Sequence, residues 1–174
     1  MLIKHKINLM ASSFSFDVVS DFDRQELVNT IDQVKREVNQ RYDLKDSKTD
    51  IDIQEEEVLI NTESDMTLQS VCDVLRQKAT KRELSLKIFD FQEPEMSGGN
   101  RVKQSIILKR GLNKEIAKEL SLMIRSEFKK ISVSIQGDAV RVTGKSKDDL
   151  QAVISALRKK EEDLDIPLQY ENFR

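Results

Sequence analysis

The chain has 174 residues, 38% hydrophobic and 34% charged, with a formal net charge of −2. That length accommodates one domain or two small ones, and the charged fraction calls for extensive solvated helix faces. The single cysteine, Cys72, excludes an internal disulfide. The single histidine, His5, excludes a Cys/His metal cluster and a histidine-based catalytic triad. No apolar run reaches the roughly 18 residues of a membrane span, so a cytoplasmic protein without metal or cofactor is expected.

Residues 1–9 carry Lys4 and Lys6 but too few apolar residues for a signal-peptide core. Met10-Ala-Ser-Ser reads as a natural start, and residues 1–12 are expected to be a disordered stretch or an extension. Phe14–Val19 alternates and reads as a strand. Asp23 with Glu26 three positions on forms an Asp version of the capping box, and Leu27, Ile31, Val34 and Val38 follow at helical spacing to an end near residues 41–43. Residues 49–54 alternate with period two; Glu55, Glu56 and Glu57 make a turn, and residues 58–62 return as the paired strand. Ser64 caps a second helix bearing Leu68, Val71, Cys72 and Leu75, and residues 86–91 read as a strand. Residues 93–101, with Pro94 and Gly98-Gly99, read as a linker.

The pattern then restarts. Residues 103–109 read as a strand, ended by Gly111; Ile116, Leu120, Met123 and Ile124 mark a helix. Residues 132–136 and 139–143 form a hairpin around Gly137-Asp138, Ser146 caps a helix through Leu150, Val153, Ile154 and Leu157, and residues 167–173 read as a last strand. The restart is visible in the letters. VRVTGKSKDDLQ at residues 140–151 has an ungapped echo, VLINTESDMTLQ at residues 58–69, an offset of 82 that extends to Ile51/Val133 and to Arg76/Arg158. Each half reads β-α-β-β-α-β, the order of a ferredoxin-like or RNP-like sandwich. The class is therefore α+β, two tandem ferredoxin-like units at residues 13–100 and 101–174.

The copies differ in charge. Residues 1–102 hold 14 Lys+Arg against 20 Asp+Glu, and residues 103–174 hold 15 against 11. The second half is the expected anion-binding half. Candidate phosphate contacts are Arg101, Lys103, Lys109 and Arg110 around the strand that restarts the pattern, Arg141 within a strand, and Lys145, Ser146 and Lys147 at a helix start. Arg141 alternates with Val140 and Val142, so it falls on the open sheet face if helices cover the valines; its counterpart is Leu59. Gly144-Lys145-Ser146 ends like a P-loop, but Ala139 stands where the motif requires its first glycine. An NTP hydrolase is thus disfavoured. A helix start can still hold a phosphate, while the plain alternative is an N-cap whose dipole Asp148 and Asp149 already satisfy. The two central strands carry no aromatic residue, unlike an RNA-recognition motif. Phe14, Phe16, Phe89, Phe91, Tyr170 and Phe173 lie on other strands and are assigned mostly to the core. No nucleophile stands beside a credible base, so no enzyme is expected, and Cys72 reads as a buried apolar residue.

Phe14-Ser-Phe-Asp-Val-Val-Ser20, the segment Ile135-Gln-Gly-Asp138 running into VRVTGKSKDDLQ, and Gln169 to Asn172-Phe173-Arg174 together resemble the YajQ family of bacterial nucleotide-binding proteins. The resemblance implies tandem ferredoxin-like domains that exchange first strands, so that Phe14–Val19 would complete the second sheet and residues 103–109 the first. It also implies non-enzymatic binding of nucleotides or RNA, with some members acting as cyclic di-GMP effectors through protein partners. This chain has no Trp and no aromatic residue between Phe91 and Phe128, leaving Arg101 as the available stacking plane near the linker. General nucleotide or RNA binding is expected ahead of a cyclic di-GMP role. The alternative is a protein-interaction adaptor whose acidic first half docks a transcription factor or an RNA-binding partner.

Overall fold

A computed structural model of the chain describes residues 13–174. The expectation for residues 1–12, and His5 with it, lies outside the described residues. Nine strands and four helices alternate along them. In order these are β1 (Phe14–Val19), α1 (Arg24–Gln40), β2 (Asp50–Ile53), β3 (Glu57–Thr62), α2 (Asp65–Lys81), β4 (Phe89–Phe91), β5 (Glu95–Ser97), β6 (Arg101–Leu108), α3 (Lys114–Glu127), β7 (Ser132–Gln136), β8 (Ala139–Gly144), α4 (Lys147–Glu161) and β9 (Gln169–Glu171). The repeated β-α-β-β-α-β units give the α+β, tandem ferredoxin-like architecture.

The helices begin where the caps dictate. The Asp23 side chain accepts from the Glu26 amide at 3.1 Å, Ser64 from the Thr67 amide at 3.2 Å, and Asn113 from the Ile116 amide at 2.8 Å. Each removes one of the orphan donors of a first turn.

Two segments differ from the sequence reading. Residues 86–88 form a 3-10 turn, held by the Ser85 hydroxyl on the Lys87 amide, and only Phe89–Phe91 is strand. The glycine-rich stretch at 93–101 is a hairpin, not an open linker. Glu95, Met96 and Ser97 pair with Lys103, Val102 and Arg101, and the chain reverses with Gly99 and Asn100 both at positive φ. Glycine makes that reversal inexpensive, so a composition that resembles a linker closes a tight turn.

The chain forms two compact units. One comprises residues 21–110 with 165–167, and the other residues 13–20, 111–164 and 168–174. In the first unit the sheet order is β2-β3-β6-β4, with β5 also on β6. Val58, Ile60, Val102 and Ile106 point inward against Leu27, Ile31, Val34, Val71 and Leu75 of α1 and α2, and form one continuous core. In the second unit the order is β7-β8-β1-β9. Phe16, Val18, Val140 and Val142 are buried together with Leu120 and Ile124 of α3 and Val153 and Leu157 of α4. β1 thus pairs with β8 and β9, and β6 with β3 and β4.

This pairing alters the charge distribution. Over the described residues, the unit holding β6 carries 15 Lys+Arg against 20 Asp+Glu, while the unit holding β1 carries 12 against 11. Three cations of the basic surplus of residues 103–174, Lys103, Lys109 and Arg110, reside with Arg101 in the acidic unit.

Candidate nucleotide site

The eight candidate phosphate contacts divide four and four between the units, Arg101, Lys103, Lys109 and Arg110 in one, Arg141, Lys145, Ser146 and Lys147 in the other. In the first group every cation is engaged. Arg101 donates through Nε to Asn61 Oδ1 at 2.7 Å and through its terminal nitrogens to the Ser47, Lys48 and Asn61 carbonyls. It is a clamp that ties the loop after α1 to the sheet, with its N–H donors committed to protein acceptors. Lys103 lies 3.7 Å from Glu95, Lys109 donates to the Asp165 carbonyl at 2.6 Å, and Arg110 meets Asp21 at 2.6 Å while its guanidinium covers the Phe22 ring at 4.5 Å.

In the other unit Arg141 does lie on the sheet face opposite the buried Val140 and Val142. There it forks onto Asp17, directly across from it on β1, at 2.8 and 3.2 Å. The Arg141 side chain is 34% exposed and the Asp17 side chain 9%. Asn172 adds a third bond to Asp17 at 2.9 Å. A bulge positions it: Asp17 faces Glu171, yet Ser15 exchanges both backbone bonds with Arg174, one residue further than the register requires, and Asn172 has φ 55°. The Arg141 bonds hold the Asp17 carboxyl below the usual carboxylate range, burial opposing and Asn172 assisting.

Lys145, Ser146 and Lys147 come together at the start of α4. Ser146 caps the helix by accepting from the Asp149 amide at 3.4 Å. Both lysines are exposed, and neither forms an ion pair among the described residues. Lys147 stands over the Phe14 ring, its ammonium 5.1 Å from the centroid, within cation–π range. Beside it is a cavity of about 390 Å³ lined by Phe14, Lys147, Leu150, Gln151, Phe173 and Arg174. Phe173 stacks on the fully buried Phe16 ring at 5.7 Å between centroids and is itself 60% exposed.

The sequence reading assigned most aromatic rings to the core. Phe16 and Phe89 are buried there, but Phe14, Phe91 and Tyr170 are only partly covered and Phe173 is largely open. Phe14, Gln151, Phe173 and Arg174 were not among the expected contacts. Their convergence depends on β1 and the chain end both flanking α4, and no local pattern announces that.

The unit of residues 21–110 has a cavity at the matching place, about 560 Å³, lined by Asp65, Gln69, Cys72, Asp73, Arg76 and Phe91 among others. Arg76 bridges to Asp73 at 3.1 Å and covers the Phe91 ring at 4.4 Å. Arg158, 82 residues on, lies 5.9 Å from the Tyr170 ring centroid. Cys72 is buried and donates to Gln104 Oε1 at 3.2 Å, and burial pushes its thiol up to about 11. Among the described residues no three His, Cys, Asp or Glu side chains converge as a metal site, and no helix is long and apolar enough to cross a membrane.

Two ferredoxin-like sandwiches, one offering exposed lysines beside an aromatic-lined cavity, define a class of small α+β binding proteins. The chain matches the family described as YajQ-like nucleotide-binding proteins over residues 14–174, and it belongs to that family. It is 68% identical over 165 residues to a nucleotide-binding protein of Synechococcus sp. (strain CC9605), 95% of this chain and 100% of the relative. Relatives from Parasynechococcus marenigrum (strain WH8102), at 67%, and Prochlorococcus marinus (strain MIT 9211), at 64%, have the same coverage and are likewise named nucleotide-binding proteins.

Proposed function

We propose that this protein is a non-enzymatic, cytoplasmic nucleotide-binding protein that takes nucleotides or RNA through phosphate contacts, with cyclic di-GMP as a narrower variant of the same ligand chemistry. The observation that carries this reading is the start of α4, where Lys145 and Lys147 are exposed beside the Ser146 cap and form no ion pair among the described residues, although Asp148 and Asp149 share the first turn. Arg141 contributes positive potential at most, since Asp17 holds its fork. Affinity resting on a few ammonium groups is modest and falls with salt. Titration of the full chain with AMP, GMP, cyclic di-GMP and tRNA at low salt tests the reading. Binding that weakens as salt rises supports it, and the absence of binding to all four ends it.

A second reading, a protein-interaction adaptor, is favoured by the outward face of the other unit's sheet. Asp50, Asp52, Glu57, Asp90 and Glu95 share that face with Leu59 and with Ile107, which is 38% exposed. Such a face suits a basic partner. Pull-down after nuclease treatment separates the readings, because an RNA-mediated association disappears and a direct one stays.

A further inference from the structure

We infer that the cavity beside α4 is the nucleotide subsite, taking one nucleotide unit with its base against Phe173 and its phosphate between Lys147 and Arg174, and that its twin in the other unit is closed to phosphate by a charge reversal. The inference rests on the nucleotide-binding reading and locates it. The internal repeat makes the comparison possible. Lys147, Leu150 and Gln151 line one cavity, and the residues 82 positions earlier, Asp65, Leu68 and Gln69, line the other. Leucine and glutamine are retained, while the lining residue at the helix start changes from the cation Lys147 to the anion Asp65. The ring changes too: Phe14 pairs with Gly144, and its equivalent facing Thr62 is Val102.

The surviving cavity has what a phosphorylated planar ligand needs. Phe173 is fixed on one face by the buried Phe16 and exposed on the other, so a base meets a ring already held in place. Lys147 and Arg174 supply two cations to the lining, and the Gln151 carboxamide supplies a donor and an acceptor for a base edge. The cavity volume of about 390 Å³ is of the size small-ligand sites have. The twin cavity is larger, but Asp65 and Asp73 repel phosphate there, and Arg76 is already held by Asp73 and Phe91.

Calorimetric titration of the full chain with AMP, adenosine and a 5′-phosphorylated single-stranded oligoribonucleotide tests this. One site per chain is expected. Lys147→Asp should weaken AMP at least tenfold and leave adenosine within twofold. Phe173→Ala should weaken both, on the order of tenfold. Lys118→Asp, an exposed reversal on α3 far in sequence from the cavity lining, should change neither ligand more than twofold. An oligonucleotide tighter than AMP with the same Lys147→Asp sensitivity identifies strand ends as the source; AMP as the tighter ligand identifies free nucleotide. Wild-type binding of AMP unchanged in both folded Lys147→Asp and Phe173→Ala overturns the subsite and leaves the general reading intact. No binding of any nucleotide by the wild type overturns both.

Discussion

Arg141 and Asp17 face each other across β8 and β1 and form a two-pronged ion pair on a sheet that neither residue's own half of the sequence builds alone. The bond joins positions 124 residues apart, so it is made only when β1 is docked. A cation that sequence alone offers as a ligand contact has its fork on a carboxylate across the sheet.

The first prediction follows from that pair. Asp17→Asn should cost about 2 kcal/mol, the scale of hydrogen bonds to a charged group, because it weakens the fork and leaves Arg141 without its counter-charge. The Asp17 carboxyl is depressed in the folded protein. Its contribution is therefore complete above the unfolded carboxylate value of about 3.9 and is lost as pH falls through the lower folded value. Urea midpoints measured from pH 7 down to pH 2 should decline below about pH 4 in the wild type, and more shallowly in Asp17→Asn. Equal slopes would remove Asp17 from the account.

Arg101 should behave as a structural clamp. Arg101→Ala is expected to lose about 2 kcal/mol through its bonds to Asn61 and to the 47–48 backbone, and Arg101→Lys should recover little, since an ammonium cannot reproduce the fork. Nucleotide affinity should stay within twofold for the folded fraction. Thermal melting and titration of the same preparations decide it, and a stable variant with tenfold weaker binding would return Arg101 to the ligand.

Ser146 is expected to matter to α4 itself. Ser146→Ala should cost about 1 kcal/mol, the usual scale of a lost N-cap. Ser64→Ala, the equivalent cap of α2, should cost a similar amount. Denaturant unfolding of the two variants side by side measures both, and a neutral pair would show that tertiary packing alone holds the two starts.

Cys72 should be silent. With its thiol pushed up to about 11 by burial, the thiolate needed for reaction is scarce at pH 7.5. A disulfide-exchange reagent should label it at the rate of opening or unfolding, rising with urea. Rapid labelling in native buffer, at the rate of a free thiol, would contradict the burial.

Much of this was legible in the chain. The caps at Asp23, Ser64 and Ser146, the helical spacing of Leu27 to Val38, and the 82-residue echo all act through neighbours a few positions apart or through direct repetition. For the same reason two local readings went astray. Glycine composition at 98–99 does not distinguish a linker from a tight hairpin, and a short apolar run at 86–91 fits a 3-10 turn followed by a strand.

The candidate site was less legible, because a side chain's partner is not a local property. Arg141 reads as a free cation until Asp17 is placed opposite it, and Arg101 until the 47–48 carbonyls close around it. Phe173 reads as core until a bulge at Asn172 brings it over Phe16 with one face open. Periodicity and capping are short-range effects, and from them the sequence determined the elements, their order and the duplication. The β2-β3 and β7-β8 hairpins were legible as well, but pairings between strands far apart in sequence, ion pairs and the lining of a cavity depend on contacts between distant segments, whose geometry is set only once the sheets close, and these the tertiary structure decided.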